Sequence, residues 1–579
     1  MQITSTLSAG GTNLSDRAEN KLKTGRRRSK TPLSVVSKRQ MRGVFIAIAV
    51  LFLIFACFPM VMVFIKSLSV GGKASVAAYR DVFSSKEVFV GMRNSFGVAG
   101  LSALISTGLA FVLAYTLNFT AAPKGLKHFI SVFAMLPMLI PTITYGFALI
   151  YSFGKQGFLT RLFHHQFFSI YGTRGLVIGF VIYTTPIAFM LIENTMHFID
   201  KKYLIVSKIM GDNPGRRFMN TVGIPMLGTL ATAFIQSFTL AFTDYGIPMS
   251  IAGNMDLAAT LLYGRMLGTF PDFAAGSVIA ILMLIPAVIN VSLIQYLKRF
   301  NVRYSSTSDM KMRRDPVRDG AFSAASLAIL ICMLMIFAVI FVVPFVNQWP
   351  YNVAFSMKHF KAVFSDLELS QVVKNSLTVS LLSALIGTVV AYGAALFSGR
   401  TEGSRLEGQT MDTIALTINT IPGMVIGVAY MLAFKGTAIQ NTFAILIICN
   451  IVHLFPSPYL MIKNALEKLN PQWEKTAALM GDSWLKTMGR IMTPNVWPAL
   501  LEAFSFYFIN AMVTVSAVIF VAGAHTMVMT VKIQELQHFA DFDDIFVLSV
   551  LIFIFNIAAK GIISAIKHVT AHRRLAIKS

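Results

Sequence analysis

Charge is scarce in this chain. Asp, Glu, Lys and Arg make up 13% of its 579 residues, about half the share of an ordinary soluble domain, which excludes a soluble globular protein. Cysteine is scarcer still: Cys57, Cys332 and Cys449 are the whole supply. Each lies inside an apolar run, so they read as packing residues and no disulfide framework is expected. Sequence signatures of covalent chemistry are missing too. Gly71-Gly72-Lys73 is followed by Ala74 and lacks the upstream glycine spacing of a phosphate loop. There is no H-E-x-x-H, no cysteine pair at zinc spacing and no nucleophile elbow. His164-His165 is the only adjacent histidine pair; neighbours in sequence do not share a helix face, so it reads as loop decoration. No catalytic residue, metal ligand or bound cofactor is expected, and any nucleotide hydrolysis must belong to another subunit.

What is abundant is apolar sequence. Hydrophobic residues make up 55% of the chain, in recurring runs of about twenty, long enough to cross a bilayer as a helix that satisfies its own backbone hydrogen bonds. Twelve spans are predicted, at about 44–65, 95–117, 129–151, 176–196, 226–245 and 274–296, then 321–343, 376–397, 412–434, 443–462, 498–520 and 545–567. The net charge of +24 would point to nucleic acid in a soluble protein. Here the basic residues lie between apolar runs, where they set orientation, so no nucleic acid partner is expected. Residues 1–43 hold ten Lys/Arg, and 298–320 hold seven. The first reads as a basic cytoplasmic tail that anchors topology in the lipid bilayer, with lipid contact by Arg26-Arg27-Arg28 as the other reading, the second as a cytoplasmic linker, and 568–579 as a second tail. With both termini inside, the loops follow the positive-inside pattern of a multi-pass inner-membrane protein. The run from Val44 to Ile65 is too long for a signal-peptide core and no small-residue cleavage site follows it.

The two halves repeat. Asn94-Ser95-Phe96 matches Asn375-Ser376-Leu377 at an offset of 281, as do Pro141 with Pro422 and Gly146 with Gly427. After a shorter loop the offset becomes 270, pairing Pro186 with Pro456 and Met210-Gly211-Asp212 with Met480-Gly481-Asp482. Six spans per half give both halves the same orientation. This is a parallel repeat, with six-helix lobes at 44–297 and 321–567 and a pathway expected between them.

The loop after the fourth span of each half carries a further pattern. The second copy runs Trp473-Glu474-Lys475-Thr476-Ala477-Ala478-Leu479-Met480-Gly481-Asp482, and the first Tyr203-Leu204-Ile205-Val206-Ser207-Lys208-Ile209-Met210-Gly211-Asp212. Small residues on one face of a short helix would let a partner approach, and the glycine turns the chain without a Cβ penalty. These loops resemble the E-A-A-x-x-x-G loop of permeases of binding-protein-dependent ABC importers. The resemblance implies an all-α, type I permease-like fold and a role as the channel subunit of an ATP-driven importer. It implies as partners two cytoplasmic ATPase subunits, which carry ATP and Mg, and an external substrate-binding protein. It makes Val206, Ser207, Gly211, Asp212, Glu474, Ala477, Ala478, Gly481 and Asp482 the coupling residues. The first copy has no Glu, and in the second Lys475 occupies the usual Glu position.

The fused twelve-span form resembles the 2-aminoethylphosphonate and ferric-iron branch. Phe242–Pro248 with Ile251–Asn254 is similar to the phosphonate members, and Asn510–Phe520 to both, so phosphonate is slightly preferred with ferric iron beside it. Thr243, Asp244, Asn510 and Thr514 are the candidate pathway residues. An acid near the bilayer core is costly and usually faces protein or a water cavity; the other reading of Asp244 is a carboxylate satisfied by water or neighbouring backbone. The rival class is an ion-coupled secondary transporter with its own 6+6 repeat. That class calls for acids in mid-span, whereas Glu193 and Glu502 fall near span ends.

Overall fold

The computed structural model describes residues 43–166, 168–297, 312, 314–400 and 405–578. The basic tail apart from Gly43, and 298–311 and 313 of the linker, lie outside the described residues, as does Ser579 at the end of the second tail. Among the described residues nine helices are long and apolar enough to cross a membrane, and three bent helix pairs raise the number to twelve. The first half has span 1 (Gly43–Ser67), span 2 (Lys86–Phe119), the bent span 3 (Lys124–Leu139 with Thr142–Leu162), span 4 (Thr173–His197), span 5 (Pro214–Thr243) and span 6 (Phe273–Leu297). The second has span 7 (Pro316–Phe345), span 8 (Leu367–Ser398), the bent span 9 (Gly408–Asn419 with Gly423–Ala433), the bent span 10 (Phe443–Leu454 with Pro456–Glu467), span 11 (Trp484–Val513) and span 12 (Phe542–Thr570).

Three predicted spans are not straight. Spans 3 and 9 turn by 106° and 100° at Pro141 and Pro422, which precede the second helix of each pair. A proline supplies no N–H and pushes the residue before it out of the helical region; Ile140 is accordingly extended (φ −123°, ψ 142°). Span 10 bends by 54° at Pro456, yet its counterpart Pro186 sits inside an unbroken helix. The difference is local: Pro458 follows Pro456 two residues later, so two N–H groups are lost in one turn. Spans 5 and 11 start and end earlier than predicted, ending at Thr243 and Val513. Asp244 and Thr514, extended at the helix ends, start the segments that fold back.

The two halves exchange their first helices. Span 1 packs on the second half: Tyr430 Oη donates to the Phe55 carbonyl at 2.6 Å, and the Phe52 and Phe455 rings are 4.4 Å apart. Span 7 packs on the first half, with Thr116 and Ser326 hydroxyls 2.7 Å apart and the tilted Tyr115 and Phe322 rings 4.4 Å apart. Span 12 joins the exchange, its Ser549 meeting Thr144 at 2.8 Å and its Asn556 donating to the Leu139 carbonyl at 3.0 Å. Hydroxyls and amides bonded between helices have no water to compete for them in such a setting.

Candidate functional site

Two features recur in both halves: the loop after the fourth span, and the crossing where the broken third span meets the segment beyond the fifth.

The loops are short helices, Lys202–Ile209 and Gln472–Leu479, eight residues each. Each is closed by a glycine in the left-handed region, Gly211 at φ +81° and Gly481 at φ +82°. The aspartate after it donates its N–H back into the helix, Asp212 to the Ser207 carbonyl (3.1 Å) and Asp482 to that of Ala477 (3.0 Å). This is the six-to-one bond of a Schellman cap, and it explains why glycine stands there. The Asp212 carboxylate also accepts from the Ser207 hydroxyl at 2.6 Å and from Asn220 at 3.2 Å. The Ser207 bond, then Asn220 and the Arg216 and Arg217 charges, hold its pKa below the ordinary carboxylate value. Asp482 is tied instead to Lys486.

One small residue of each loop turns inward. Ser207 and Ala477 are buried against their own chain; the Ala478 side chain lies outside the described residues. What each loop presents is an apolar tip. Ile209 and Met210 are 80% and 78% exposed, and Leu479 and Met480 are 88% and 78% exposed. Val206 is exposed as well, and Glu474 half-buried. The two tips occupy matching positions at the 270 offset, a signal the sequence contains but that composition alone did not single out.

At the crossings the halves differ. Asp244 is half-buried, and its carboxylate accepts from the Ile247 N–H at 2.9 Å, with the N–H groups of Tyr245 and Gly246 and the Thr142 hydroxyl beside it. It therefore fastens the start of helix Gly246–Ile251 to the break in span 3. Thr243 and Thr514 bond back to Thr239 (2.8 Å) and Asn510 (2.6 Å) in their own helices, and Asn510 Nδ2 donates to the Phe506 carbonyl at 2.8 Å. A Cβ on Gly246 would stand 2.3 Å from Thr142 Oγ1 and 2.6 Å from the Ile143 nitrogen. In the second half Gly423 takes the place of Thr142, and Ser516 the place of Gly246. A Cβ on Gly423 would stand 2.6 Å from Ser516 Oγ and 3.1 Å from His453 Nε2. Each crossing has room for one hydroxyl side chain, supplied from opposite partners in the two halves. Gly146 and Gly427 keep the next turn equally close: a Cβ would lie 1.7 Å from Ser250 Oγ in one case and 2.5 Å from the Ala517 carbonyl oxygen in the other.

The Asn-Ser pairs, which lie two turns inside spans 2 and 8, also gain a role. Ser95 and Ser376 accept from the N–H groups of Ala258 (2.8 Å) and Met529 (2.6 Å). Asn94 donates to the Asp256 carbonyl at 3.1 Å and Asn375 to that of Met527 at 3.0 Å. They cap helices Ala258–Leu267 and Met529–Phe539, which would otherwise begin with unpaired donors.

The sequence was compared with known proteins. The family model described as the inner membrane component of binding-protein-dependent transport systems matches residues 385–568. The chain is 25% identical over 514 residues to the ferric transport system permease protein FbpB of Actinobacillus pleuropneumoniae, covering 85% of this chain and 73% of that protein. It is 24% identical over 512 residues to a putative ferric transport system permease protein of Haemophilus influenzae, covering 85% and 79%. The thiamine transport system permease protein ThiP of the same organism matches at 24% over 373 residues, 62% of this chain and 67% of that one.

Proposed function

We propose that ferric iron is the cargo of this chain, which belongs to the fused, two-lobed permeases of binding-protein-dependent ABC importers. The observation that carries the transport mechanism is the pair of matching loop helices, each closed by a left-handed glycine and tipped by two exposed apolar residues. Such a tip suits a groove on a partner, and two tips suit two copies of that partner. In this reading the partners are cytoplasmic ATPase subunits that bind ATP and Mg, and a loaded binding protein docks on the opposite face. Closure of the ATPases moves the two tips, and the movement reaches the crossings through spans 5 and 11, which begin directly after the loops. Alternating access follows from the lobes rocking about their common interface, where the exchanged spans 1 and 7 keep the halves from separating. Both termini and the 298–320 linker lie on the ATPase side.

Ferric iron is favoured over phosphonate by the names of the relatives that match most of the chain. The names bring no support to the phosphonate preference drawn from Phe242–Pro248. The experiment is uptake in proteoliposomes that hold the permease, its ATPases and its binding protein. ATP-dependent accumulation of iron from ferric citrate, uncompeted by 2-aminoethylphosphonate, supports the reading; competition by the phosphonate reverses it. A cysteine placed in the linker of a cysteine-free variant should resist an impermeant thiol reagent in intact cells, and labelling there would overturn the orientation.

A further inference from the structure

The helix that leads into the second Met-Gly-Asp loop is tied to its neighbours by a polar cluster whose positions are filled differently in the first half. Asp412, on the first helix of span 9, takes both its carboxylate oxygens to Lys463 on the second helix of span 10, at 2.6 and 2.7 Å. Tyr459 Oη donates to the same carboxylate at 2.6 Å, and the Ser398 hydroxyl, near the end of span 8, at 3.0 Å. Glu467 lies 3.8 Å from the Lys463 ammonium on its far side. Three helices therefore meet on one carboxylate. The Lys463 side chain is mostly buried and that of Asp412 only about a third exposed, so removing either partner strands a charge where water is scarce. Helix Pro456–Glu467 runs on through a short turn into loop helix Gln472–Leu479.

At the matching positions of the first half stand Leu117, Ser131, Phe189 and Glu193. Ser131 bonds only to the Lys127 carbonyl of its own helix, at 2.7 Å. Lys127 ties spans 2 and 3 together through the Leu117 and Thr120 carbonyls, at 2.7 and 2.8 Å, but span 4, which leads to the first loop, takes no part in that tie.

We propose that Asp412 and Lys463, with Tyr459, are positioning residues for the second loop. They make its leading helix move with the ends of spans 8 and 9, so that displacement of the Leu479-Met480 tip is passed to the membrane helices rather than lost by bending of the linker. The first loop, without the tie, follows more loosely. The proposal rests on the importer reading for its consequence, but the tie itself is testable without it.

Two measurements separate the two. In the purified permease in nanodiscs, amide hydrogen exchange over 472–479 reads the tie directly. Lys463→Glu and Asp412→Lys should each raise it by about tenfold, and the charge-swapped double variant should bring it back most of the way, as expected for directly coupled partners. Exchange over 202–209 should not move. In the complex reconstituted with its ATPases, the same single variants should hydrolyse ATP at near-normal rates but raise the ATP used per iron moved, and the double variant should restore the ratio. Tyr459→Phe, which removes one bond and keeps the ring, should give a smaller effect of the same sign. Equal exchange in single and wild-type proteins would overturn the tie. Raised exchange with hydrolysis and uptake falling in proportion would leave a merely structural contact and overturn the positioning role.

Discussion

Thr142 with Gly246 in the first half, and Gly423 with Ser516 in the second, fill the same crossing with the same chemical group from opposite sides. The surroundings of that hydroxyl then diverge. In the first half Asp244 stands beside it; in the second, Thr514 replaces the acid and His453 stands beside the crossing. A duplicated fold keeps the volume of a contact strictly, because backbones that approach this closely accept one side chain and no more. It keeps the chemistry loosely: hydroxyl, acid and imidazole are distributed differently around the two crossings. The loops show the same rule. Their caps match to within a degree at the glycine, while the polar ties around them differ.

The sharpest test of that rule is to overfill a crossing. Gly246→Ser must displace the Ile143 backbone as well as Thr142, and should lower stability by about 3 kcal/mol, seen as lost membrane abundance and an earlier thermal transition in detergent. Gly423→Thr should cost about 2 kcal/mol, because a side chain and not backbone is in the way. Adding Ser516→Gly, which rebuilds the first-half arrangement, should recover most of it. If the double variant is worse than the single, the crossings are not equivalent.

Next in size is the comparison of the loop glycines. No atom lies within 4 Å of a Cβ built on Gly211 or Gly481, so leucine at either site meets only the left-handed backbone penalty of about 1 kcal/mol. Both variants should reach the membrane in equal amounts. Gly481→Leu should lower substrate-stimulated ATP hydrolysis about tenfold, an effect on the order of 1.4 kcal/mol, and Gly211→Leu should be milder. Equal loss at both would show that the tie at Asp412 does not set the loops apart.

Asp244 gives a smaller and more discriminating contrast. Asp244→Asn keeps an oxygen to accept from the Ile247 N–H, so the cap survives. Unchanged uptake would mean the acid only fastens the crossing. Lowered uptake at normal abundance, with Asp244→Ala lower still, would place it in the pathway as an acid. The smallest effect concerns the first loop alone. The Asp212 pKa is lowered in the folded loop, so its contribution is fully present above the ordinary aspartate value of about 3.9 and fades as pH falls through the lowered one. Amide exchange at 203–212, corrected for the intrinsic rate, should therefore hold constant from neutral pH down to about 5; a rise within that window would mean the Ser207 bond is not holding the carboxylate.

Much of the molecule was legible beforehand. The twelve spans follow from apolar length, the half-to-half register from repeated Asn-Ser, Pro and Met-Gly-Asp marks, and the left-handed caps from glycines at the ends of two short helices. The inward turn of Ser207 and Ala477 was not legible, since a small residue on a short helix suits a partner's approach and a neighbour's packing equally well.

The sequence by itself determined the number of spans, the repeat and the position of the loop turns, because each depends on residues within one or two helical turns of one another. Tertiary structure decided that spans 1 and 7 change sides, that Asp244 turns its carboxylate to a helix start, and that Asp412 reaches Lys463. Most of these rest on contacts between residues tens to hundreds of positions apart, where pairing is chosen by which buried groups can satisfy one another, and no local spacing records that choice.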